Sequence, residues 1–300
     1  MGNTFYFEWE PVMMVWIQNI LGQTGAQIAS IITSLGEEMI MVAILGYLYW
    51  CYDKKFGTYV GTNLMVGLVA NPMIKNIFLR YRPYMVHSEV SCLKQVHEGD
   101  LYDPLLQGYS FPSGHTSNSS TMYFSLPVYK RNKWLVLLGI LMPLGIGISR
   151  VCLGVHYPTD VMAGWLLGAV VVAVVTWLQK KIRVKWKLYL LILILCIPGC
   201  FYCTSNDYFT SLGMMIGFFG AGIFEEKYVQ FENTTNMKKS ILRVVGGLVV
   251  FLVANVVLKA IFGMVQVAEM EPLLRVLRYG VLVFLTMGVY PLSFRIRKIF

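Results

Sequence analysis

Two cationic side chains lie seven positions apart in the segment KNIFLRYRP, at the end of a long apolar stretch. If the segment is helical, this spacing is close to two turns and places Lys75 and Arg82 on one face. Such a pair can bind one phosphate, because the guanidinium offers a planar fork and the ammonium a point charge. Pro83 is predicted to end the helix. Taken alone, the pair is more typical of basic residues that snorkel to a membrane interface.

A second element is the run FPSGH, from Phe111 to His115, just before another apolar stretch. Proline followed by serine and glycine is typical of the start of a helix. A helix amino terminus attracts anions through its unpaired N–H groups and its dipole. Ser113 and the backbone N–H groups of Gly114 and His115 are therefore candidate donors to a phosphate. Such turns are common, so this element alone is a weak signal.

The third element, SRVCLGVHYPTD, contains a histidine followed four residues later by an aspartate. On a helix this spacing puts His156 and Asp160 on one face. The carboxylate can then accept a hydrogen bond from one ring nitrogen while the other nitrogen faces a substrate. Pro158 suits the first turn of such a helix. Arg150, near the start of the element, adds a third cation.

Composition places these residues in a membrane protein. The chain has 300 residues, of which 56% are hydrophobic and only 14% charged, and apolar runs recur from end to end. These proportions fall outside the ordinary soluble class. The net charge of +9 does not indicate nucleic-acid binding, because the basic residues gather in short connections between apolar runs. We therefore expect an all-α fold and a single membrane domain over residues 1–300, surrounded by the lipid bilayer.

A length of about twenty residues per span predicts nine transmembrane helices in a polytopic bundle. Residues 56–178 would form the catalytic core, and residues 187–300 would add carboxyl-terminal spans that carry no motif. The amino-terminal segment mixes aromatic and apolar residues with Glu8 and Glu10, which predicts an interfacial helix, with packing into the core as the alternative. The predicted spans are residues 36–52, 56–78, 113–129, 133–150, 157–178, 187–203, 208–224, 240–262 and 273–293.

Basic residues determine the predicted orientation. Alternate connections carry 17 of the 25 lysine and arginine residues, Arg297 and Lys298 among them, and the positive-inside rule assigns that side to the cytoplasm. The three elements and the long polar connection of residues 80–111 lie on the opposite side. Ionisable side chains are costly at membrane depth, so their clustering at three span ends indicates function.

The polar connection also contains carboxylates and two histidines, but their spacing matches no metal-ligand pattern. We expect a solvated loop that covers or admits substrate, and neither a metal ion nor another cofactor. The residues concerned are His87, Glu89, His97, Glu98, Asp100 and Asp103.

Taken in order, Lys-x6-Arg-Pro, Pro-Ser-Gly-His and Ser-Arg-x5-His-x3-Asp resemble the signature of the type 2 phosphatidic acid phosphatase superfamily. The resemblance runs from Lys75 to Asp160 without a departure from the pattern. The three parts in this order are specific, although each is weak alone. More loosely, the layout of the spans is similar to the branch that includes glucose-6-phosphatase and sphingosine-phosphate phosphatases.

The resemblance implies a metal-independent phosphatase that works through a phosphohistidine. His156 would be the nucleophile, and Asp160 would orient its ring. His115 would protonate the leaving oxygen and then help to activate water. The substrate would be a membrane lipid that carries a phosphomonoester or a pyrophosphate. The residues that would bind the phosphoryl oxygens are Lys75, Arg82, Ser113, Gly114 and Arg150.

Several alternatives stay open at this point. The motif recognises phosphate and not the lipid tail, so polyprenyl pyrophosphate, phosphatidic acid, phosphatidylglycerol phosphate and sphingoid phosphate are all candidates. A phosphatase of soluble sugar phosphates such as glucose 6-phosphate, or a lipid phosphotransferase, would use the same residues. A non-catalytic anion or lipid transporter fits less well, because anion binding alone requires no histidine pair. The expected location is a bacterial plasma membrane, with the site on the non-cytoplasmic face; no oligomeric state is predicted.

Overall fold

The computed structural model describes residues 2–95, 98–265, 267 and 270–295. Within these ranges the chain is built from helices joined by mostly short connections, which confirms the predicted all-α class. The helices are α1 (Trp9–Ser34), α2 (Glu38–Tyr47), α3 (Lys54–Phe78), α4 (Pro83–Val86), α5 (Pro104–Gln107), α6 (Gly114–Tyr129), α7 (Lys133–Cys152), α8 (Pro158–Lys181), α9 (Lys185–Cys196), α10 (Asn206–Phe224), α11 (Met237–Gly263) and α12 (Glu271–Phe284). Short π or 3-10 segments continue α2, α9, α10 and α12.

Among the described residues, five helical segments are long and apolar enough to cross a membrane. A sixth span results if the bent pair Trp9–Ser34 and Glu38–Tyr52 counts as one. The predicted count of nine spans is therefore not confirmed. The five segments are Lys133–Cys152, Pro158–Lys181, Asn206–Val229, Met237–Gly263 and Glu271–Arg295.

Helix α6 shows why a count based on length and hydropathy falls short of nine. It has 16 residues, and a row of serine and threonine side chains is buried along it. The hydroxyls of Ser119, Ser120, Thr121 and Ser125 donate to backbone carbonyls three or four residues earlier in the same helix. Because these polar groups are satisfied within the helix, α6 is buried without being strongly apolar.

The chain divides into two compact units. Every candidate site residue lies in the first unit, which comprises Met1–Ile40, Ala70–Ala173 and Cys203–Ser205. The second unit comprises Met41–Val69, Val174–Tyr202 and Asn206–Phe300. The single membrane domain expected from the sequence stays a prediction.

In the first unit, α7 packs against both α1 and α6. Two clusters of buried apolar side chains surround the turn that follows α7 and the beginning of α8. They give the candidate site a rigid base, because close-packed side chains resist displacement. The clusters are Met14, Val90, Val151, Tyr157 and Val161, and Ala29, Tyr84, Cys152, Leu153 and Val155.

Two glycines of α8 allow α6 to approach closely. A Cβ atom on Gly164 would lie 2.9 Å from Cβ of Thr116 and 3.1 Å from the carbonyl oxygen of Ser113, and one on Gly168 would overlap Ser120. Small residues four positions apart commonly bring helix backbones together in membranes. The contact fixes the amino-terminal end of α6 beside that of α8.

The segment before α1 runs alongside the residues that follow α3. The N–H of Asn3 donates to the carbonyl of Leu79 at 2.8 Å, and the N–H of Tyr81 donates to the carbonyl of Asn3 at 2.9 Å. Helix α3 has already ended at Phe78, and Leu79 is left-handed with a φ of 51°. The prediction of one helix that continues to Arg82 is therefore wrong. Pairing with Asn3, and the extended bias of a residue before proline, keep this segment out of the helix, and the proline opens α4 instead.

Helix α1 begins differently from the interfacial helix that its composition predicts. Glu10, in its first turn, is fully buried, as is Met14. Val12, Trp16 and Ile20 are exposed on the remainder of its surface. For Glu10 the structure favours packing into the protein, while the position of α1 relative to the bilayer stays a prediction.

The second unit is held together by close helix packing, by an ion pair to a buried carboxylate, and by a buried arginine that bonds to the backbone. Backbone atoms of α12 fill the space that a Cβ on Gly213 or Gly217 of α10 would need. The Nζ atom of Lys54 lies 2.6 Å from Oε1 of Glu225, whose side chain is 6% exposed. Arg243 donates to backbone carbonyls from two other segments of the unit.

Candidate functional site

His156 lies in the turn between α7 and α8 and is 2% exposed. Its Nδ1 atom lies 3.2 Å from the hydroxyl oxygen of Ser110, and that hydroxyl donates to Oδ2 of Asp160. Because the serine hydrogen goes to the carboxylate, Nδ1 must donate to the serine oxygen. The neutral ring therefore carries its proton on Nδ1 and keeps a lone pair on Nε2.

The four-residue spacing predicts that the ring and the carboxylate share one helical face, and this prediction is wrong. Helix α8 begins only at Pro158, so His156 precedes it. Asp160 stands in the first turn, where its Oδ2 accepts from the backbone N–H of Tyr157 at 2.8 Å, as in a capping box. Nδ1 of His156 and Oδ2 of Asp160 lie 3.5 Å apart, and the hydroxyl of Ser110 bridges them.

Arg82 is held beside the His156 ring by backbone carbonyls. Its Nε and Nη2 donate to the carbonyl of Gln107 at 3.1 and 2.7 Å, and its Nη1 donates to that of Val155 at 3.0 Å. Nη1 also lies 3.4 Å from Nε2 of His156. The guanidinium is thus fixed next to the ring nitrogen that keeps the lone pair, with several of its donors already engaged.

Arg150, in the last turn of α7, is a buried cation with an unpaired donor. It is 2% exposed, and its Nη1 donates to Oγ1 of Thr33 at 3.1 Å. Its Nε is buried and has no hydrogen-bond partner within the described part of the chain. A buried donor left unpaired on a cation is costly. An anion bound at this position would satisfy it.

Lys75, near the end of α3, approaches the amino terminus of α6. Its Nζ lies 3.9 Å from the position that a Cβ on Gly114 would occupy. Ser113, directly before the helix, is buried, and its Oγ accepts from Oγ1 of Thr116 at 2.9 Å. Its backbone N–H donates to the carbonyl of Asp160 at 3.0 Å, which ties this helix start to that of α8.

His115 lies in the first turn of α6 and is partly exposed. Arg150, His156, Lys75 and Arg82 are all close enough to act on its charge. The same three cations act on His156. The three sequence elements thus meet in one place, on the ends of α3, α6, α7 and α8.

The surroundings of His156 keep its ring neutral. Burial holds the pKa of the imidazole well below its ordinary value, and the positive charges of Arg82 and Arg150 act in the same direction. Both effects disfavour the protonated ring. At neutral pH the ring therefore retains the lone pair that a nucleophile needs.

Three residues that the spacing patterns do not single out complete the surroundings. Ser110 links the ring to Asp160, Arg80 forms a 2.7 Å ion pair with Asp160, and Glu10 forms a 2.9 Å ion pair with Arg80. For Arg80 and Glu10 the one signal in the sequence is a charged residue in apolar surroundings, because such a charge costs free energy unless it is paired.

The polar connection before α6 contains no metal-like arrangement in the described residues. Across those ranges, no group of three or more His, Cys, Asp or Glu side chains is placed to hold a metal ion. His87 instead packs edge-on against Tyr6, with 4.4 Å between ring centroids, and its Nδ1 lies 3.8 Å from Glu89. His97 lies outside the described residues.

The chain matches two family models. A model of the PAP2 superfamily, an abbreviation for the type 2 phosphatidic acid phosphatases, matches residues 38–183. A model described as the transmembrane extension of PAP2 superfamily phosphatases matches residues 209–299. All the candidate site residues fall within the first match. Together the two models account for most of the chain.

Curated relatives match parts of the chain. The undecaprenyl-diphosphatase of Sulfolobus acidocaldarius is 30% identical over 139 residues, which cover 46% of this chain and 63% of that protein. The undecaprenyl-diphosphatase BcrC of Bacillus subtilis is 32% identical over 127 residues, 41% of this chain and 55% of that protein. Phosphatidylglycerophosphatase B of Escherichia coli is 22% identical over 214 residues, 59% of this chain and 82% of that protein. The chain thus spans less than two thirds of the two diphosphatases. No solved structure matches the chain.

Proposed function

Because this chain belongs to the PAP2 superfamily, we propose that it is a membrane-integral phosphatase that hydrolyses phosphomonoesters or pyrophosphates of lipids. One observation carries the proposal: Nε2 of His156, which keeps its lone pair, lies 3.4 Å from Nη1 of Arg82. A phosphoryl group bound by that cation would lie directly against the ring nitrogen. Two of the relatives are named as undecaprenyl-diphosphatases, so a polyprenyl pyrophosphate is the first candidate substrate.

In the proposed first step, Nε2 of His156 attacks phosphorus and forms an N–P bond while the bond to the leaving oxygen breaks. His115 donates a proton to that oxygen. The ring gains positive charge as the bond forms. The link from Nδ1 through Ser110 to Asp160 stabilises this charge without moving the ring proton to the carboxylate.

In the second step, water attacks the phosphohistidine. His115, which lost its proton in the first step, accepts one from this water as the new P–O bond forms. The N–P bond breaks, inorganic phosphate leaves, and the ring of His156 is free again; the lipid alcohol or lipid monophosphate has already left in the first step. Proton and phosphoryl transfer therefore balance within one turnover.

Charge stabilisation of the phosphoryl oxygens is the largest contribution that a protein makes to this chemistry. Lys75, Arg82 and Arg150 supply it in the proposal, with the hydroxyl of Ser113 and the N–H of Gly114 as further donors. The vacant Nε of Arg150 supports this role, because an anion would satisfy it. With three cations in place, the scheme calls for no divalent ion.

The remaining parts of the proposal concern the whole chain. Residues 56–178 form the catalytic core of a single membrane domain, and residues 187–300 add further spans. The site faces the non-cytoplasmic side of a bacterial plasma membrane, because the basic connections favour the cytoplasm on the other side.

The test is phosphate release by purified protein in detergent and EDTA, on polyprenyl pyrophosphate, other lipid phosphates and hexose phosphates. His156→Ala should lower turnover by about 10⁴-fold or more, with the fold intact. His87→Ala, which replaces a histidine outside the scheme, is the matched control and should retain turnover. Full activity in folded His156→Ala would refute the nucleophile. Release from hexose phosphates alone would replace the lipid substrate with a soluble one.

A further inference from the structure

A buried chain of ionic groups reaches Asp160 through Oδ1, the carboxylate oxygen other than the one beside the His156 ring. Glu10 and Asp160 are fully buried and Arg80 is 1% exposed. Nη2 of Arg80 lies 2.9 Å from Oε2 of Glu10, and Nη1 lies 2.7 Å from Oδ1 of Asp160. A cation between two buried carboxylates is firmly located, because a shift would leave a charge uncompensated.

Further contacts fix the plane of the Arg80 guanidinium. Its central carbon lies 3.9 Å from the ring centroid of Tyr157 and 4.6 Å from that of Phe5. Its Nε donates to the carbonyl of Phe5 at 2.8 Å, and its Nη1 donates to Oγ1 of Thr159 at 2.8 Å. Arginine can stack its plane on aromatic rings while its fork of donors bonds in fixed in-plane directions, which the point charge of lysine does not reproduce.

Glu10 connects this guanidinium to the helix that carries Asp160. Its Oε1 accepts from the N–H of Thr159 at 3.0 Å and from Oγ1 of Thr159 at 2.6 Å. Its Oε2 accepts from Arg80 and from the N–H of Phe7 at 2.9 Å. One carboxylate from α1 therefore holds both Arg80 and the first turn of α8.

We propose that Arg80, held by Glu10, is a positioning residue that sets the Asp160 carboxylate behind the His156 nucleophile. The inference rests on the function proposed above. Arg80 occupies Oδ1, which leaves Oδ2 to the hydroxyl of Ser110 and, through it, to Nδ1 of the ring. Without Arg80 the carboxylate can rotate, and the ring loses its orientation.

The geometry separates this role from substrate binding. Arg80 contacts Asp160 on the oxygen that faces away from Ser110 and the ring. Arg82, Arg150 and Lys75, the cations that the proposed function assigns to the phosphoryl group, act on the charge of His156. Loss of Arg80 should therefore slow the chemical step and leave affinity for the substrate nearly unchanged. If Arg80 had a purely structural role, its loss would lower stability and leave kcat of the folded fraction unchanged.

The first test is Arg80→Lys, which keeps the charge but cannot reach both carboxylates in one plane. In folded protein, kcat should fall by about tenfold or more and KM should change by less than about twofold. Asp160→Asn and the double variant complete a cycle. If Arg80 acts through Asp160, the double variant turns over as slowly as Asp160→Asn alone. Losses that multiply would overturn the inference.

The second test compares two buried carboxylates that are each paired with a cation. Glu10→Gln removes the partner of Arg80, and Glu225→Gln removes the partner of Lys54 in the other compact unit. Both variants should melt at a lower temperature in detergent. Only Glu10→Gln should also lower kcat at unchanged KM, measured below its melting temperature. An unchanged kcat in folded Glu10→Gln, or an equal loss in Glu225→Gln, would overturn the inference.

Two inhibitors give a readout that stability does not affect. Inorganic phosphate reports anion binding, whereas vanadate resembles the five-coordinate transition state only when the nucleophile is aligned. Arg80→Lys should keep its inhibition by phosphate and require about tenfold more vanadate. A wild-type protein that hydrolyses no lipid phosphate contradicts the proposed function. An active wild type with an equally active Arg80→Lys contradicts the positioning role alone.

Discussion

The hydroxyl of Ser110 lies between the ring of His156 and the carboxylate of Asp160. The four-residue spacing of the ring and the carboxylate predicts their proximity, and the structure brings them together. It does not predict Ser110, which stands 46 positions before His156 and reaches it only in the fold. Spacing patterns also do not identify Arg80 and Glu10, because these residues meet Asp160 and each other only in the fold. Patterns along the chain identify groups that face a substrate more readily than the groups that support them.

Replacing Ser110 tests the bridge between ring and carboxylate. Ser110→Ala should lower kcat about ten- to a hundredfold at nearly constant KM, because the ring loses its link to the negative charge. Ser125→Ala is the matched control, since this buried hydroxyl of α6 donates to the carbonyl of Thr121 within its own helix. Steady-state phosphate release measures both. Equal effects in the two variants would contradict a specific role for Ser110.

The protonation of His156 is a second prediction at this scale. Its pKa in the folded protein lies well below the ordinary value, so the ring should stay neutral at pH 6, where an exposed histidine is largely protonated. The stability that this neutral ring contributes is complete above the ordinary imidazole pKa. It is lost as the pH falls from there toward the lowered value. Nitrogen-15 NMR of labelled histidines, assigned with His156→Asn, would measure the protonation state of the ring. A charged ring at pH 6 would refute the prediction.

At the scale of helices, strongly apolar segments follow the sequence closely. The predicted spans 133–150 and 240–262 agree with α7 and α11 to within three residues at each end. The predicted span 56–78 also agrees with α3, but the spacing argument that continues this helix to Arg82 fails, because backbone pairing with Asn3, from a distant part of the chain, holds the following residues. The predicted span 113–129 agrees with α6 to within one residue, although the buried hydroxyls of this helix, which bond to its own backbone, lower its hydropathy. Boundaries fixed by tertiary contacts are invisible to local patterns.

The contact between α6 and α8 provides a prediction for elements. Gly168→Ala would push a methyl group into backbone atoms at Ser120 and Thr121, and should cost about 1–3 kcal/mol of stability. Gly145→Ala in α7 is the control, because its new methyl would meet only Ile32 at an ordinary distance of 3.5 Å. Alanine also favours a helix over glycine by about 1 kcal/mol. In detergent, Gly168→Ala should therefore unfold at a lower temperature than Gly145→Ala. Equal midpoints would contradict the close packing of α6 and α8.

At the scale of the whole chain, the distribution of basic residues carries the proposed orientation. Most of these residues lie in connections assigned to the cytoplasm, while the tail residues Arg297 and Lys298 lie outside the described part of the chain. The family matches cover both the region with the motifs and the carboxyl-terminal extension.

Cysteine labelling decides the orientation. Leu105, in the polar connection before α6, is 79% exposed, and Lys133, at the start of α7, is also exposed. A membrane-impermeant maleimide applied to intact cells should label Leu105→Cys, and should label Lys133→Cys only after permeabilisation. Labelling of the unmodified protein sets the background for its native cysteines. The reverse pattern would place the site on the cytoplasmic side, and labelling of both in intact cells would mean that α6 does not separate the two sides.

The chain formed by Glu10, Arg80 and Asp160 also limits how this sequence can evolve. Removing one member leaves a buried charge without its partner, which lowers the free energy of unfolding by about 3–5 kcal/mol. A loss of that size consumes much of the roughly 5–15 kcal/mol by which a domain is usually stable. Substitutions at these three positions should therefore be inherited together. A descendant that replaces Glu10 with an apolar residue should carry a changed residue at position 80 as well, because single-step intermediates between the two sequences are selected against.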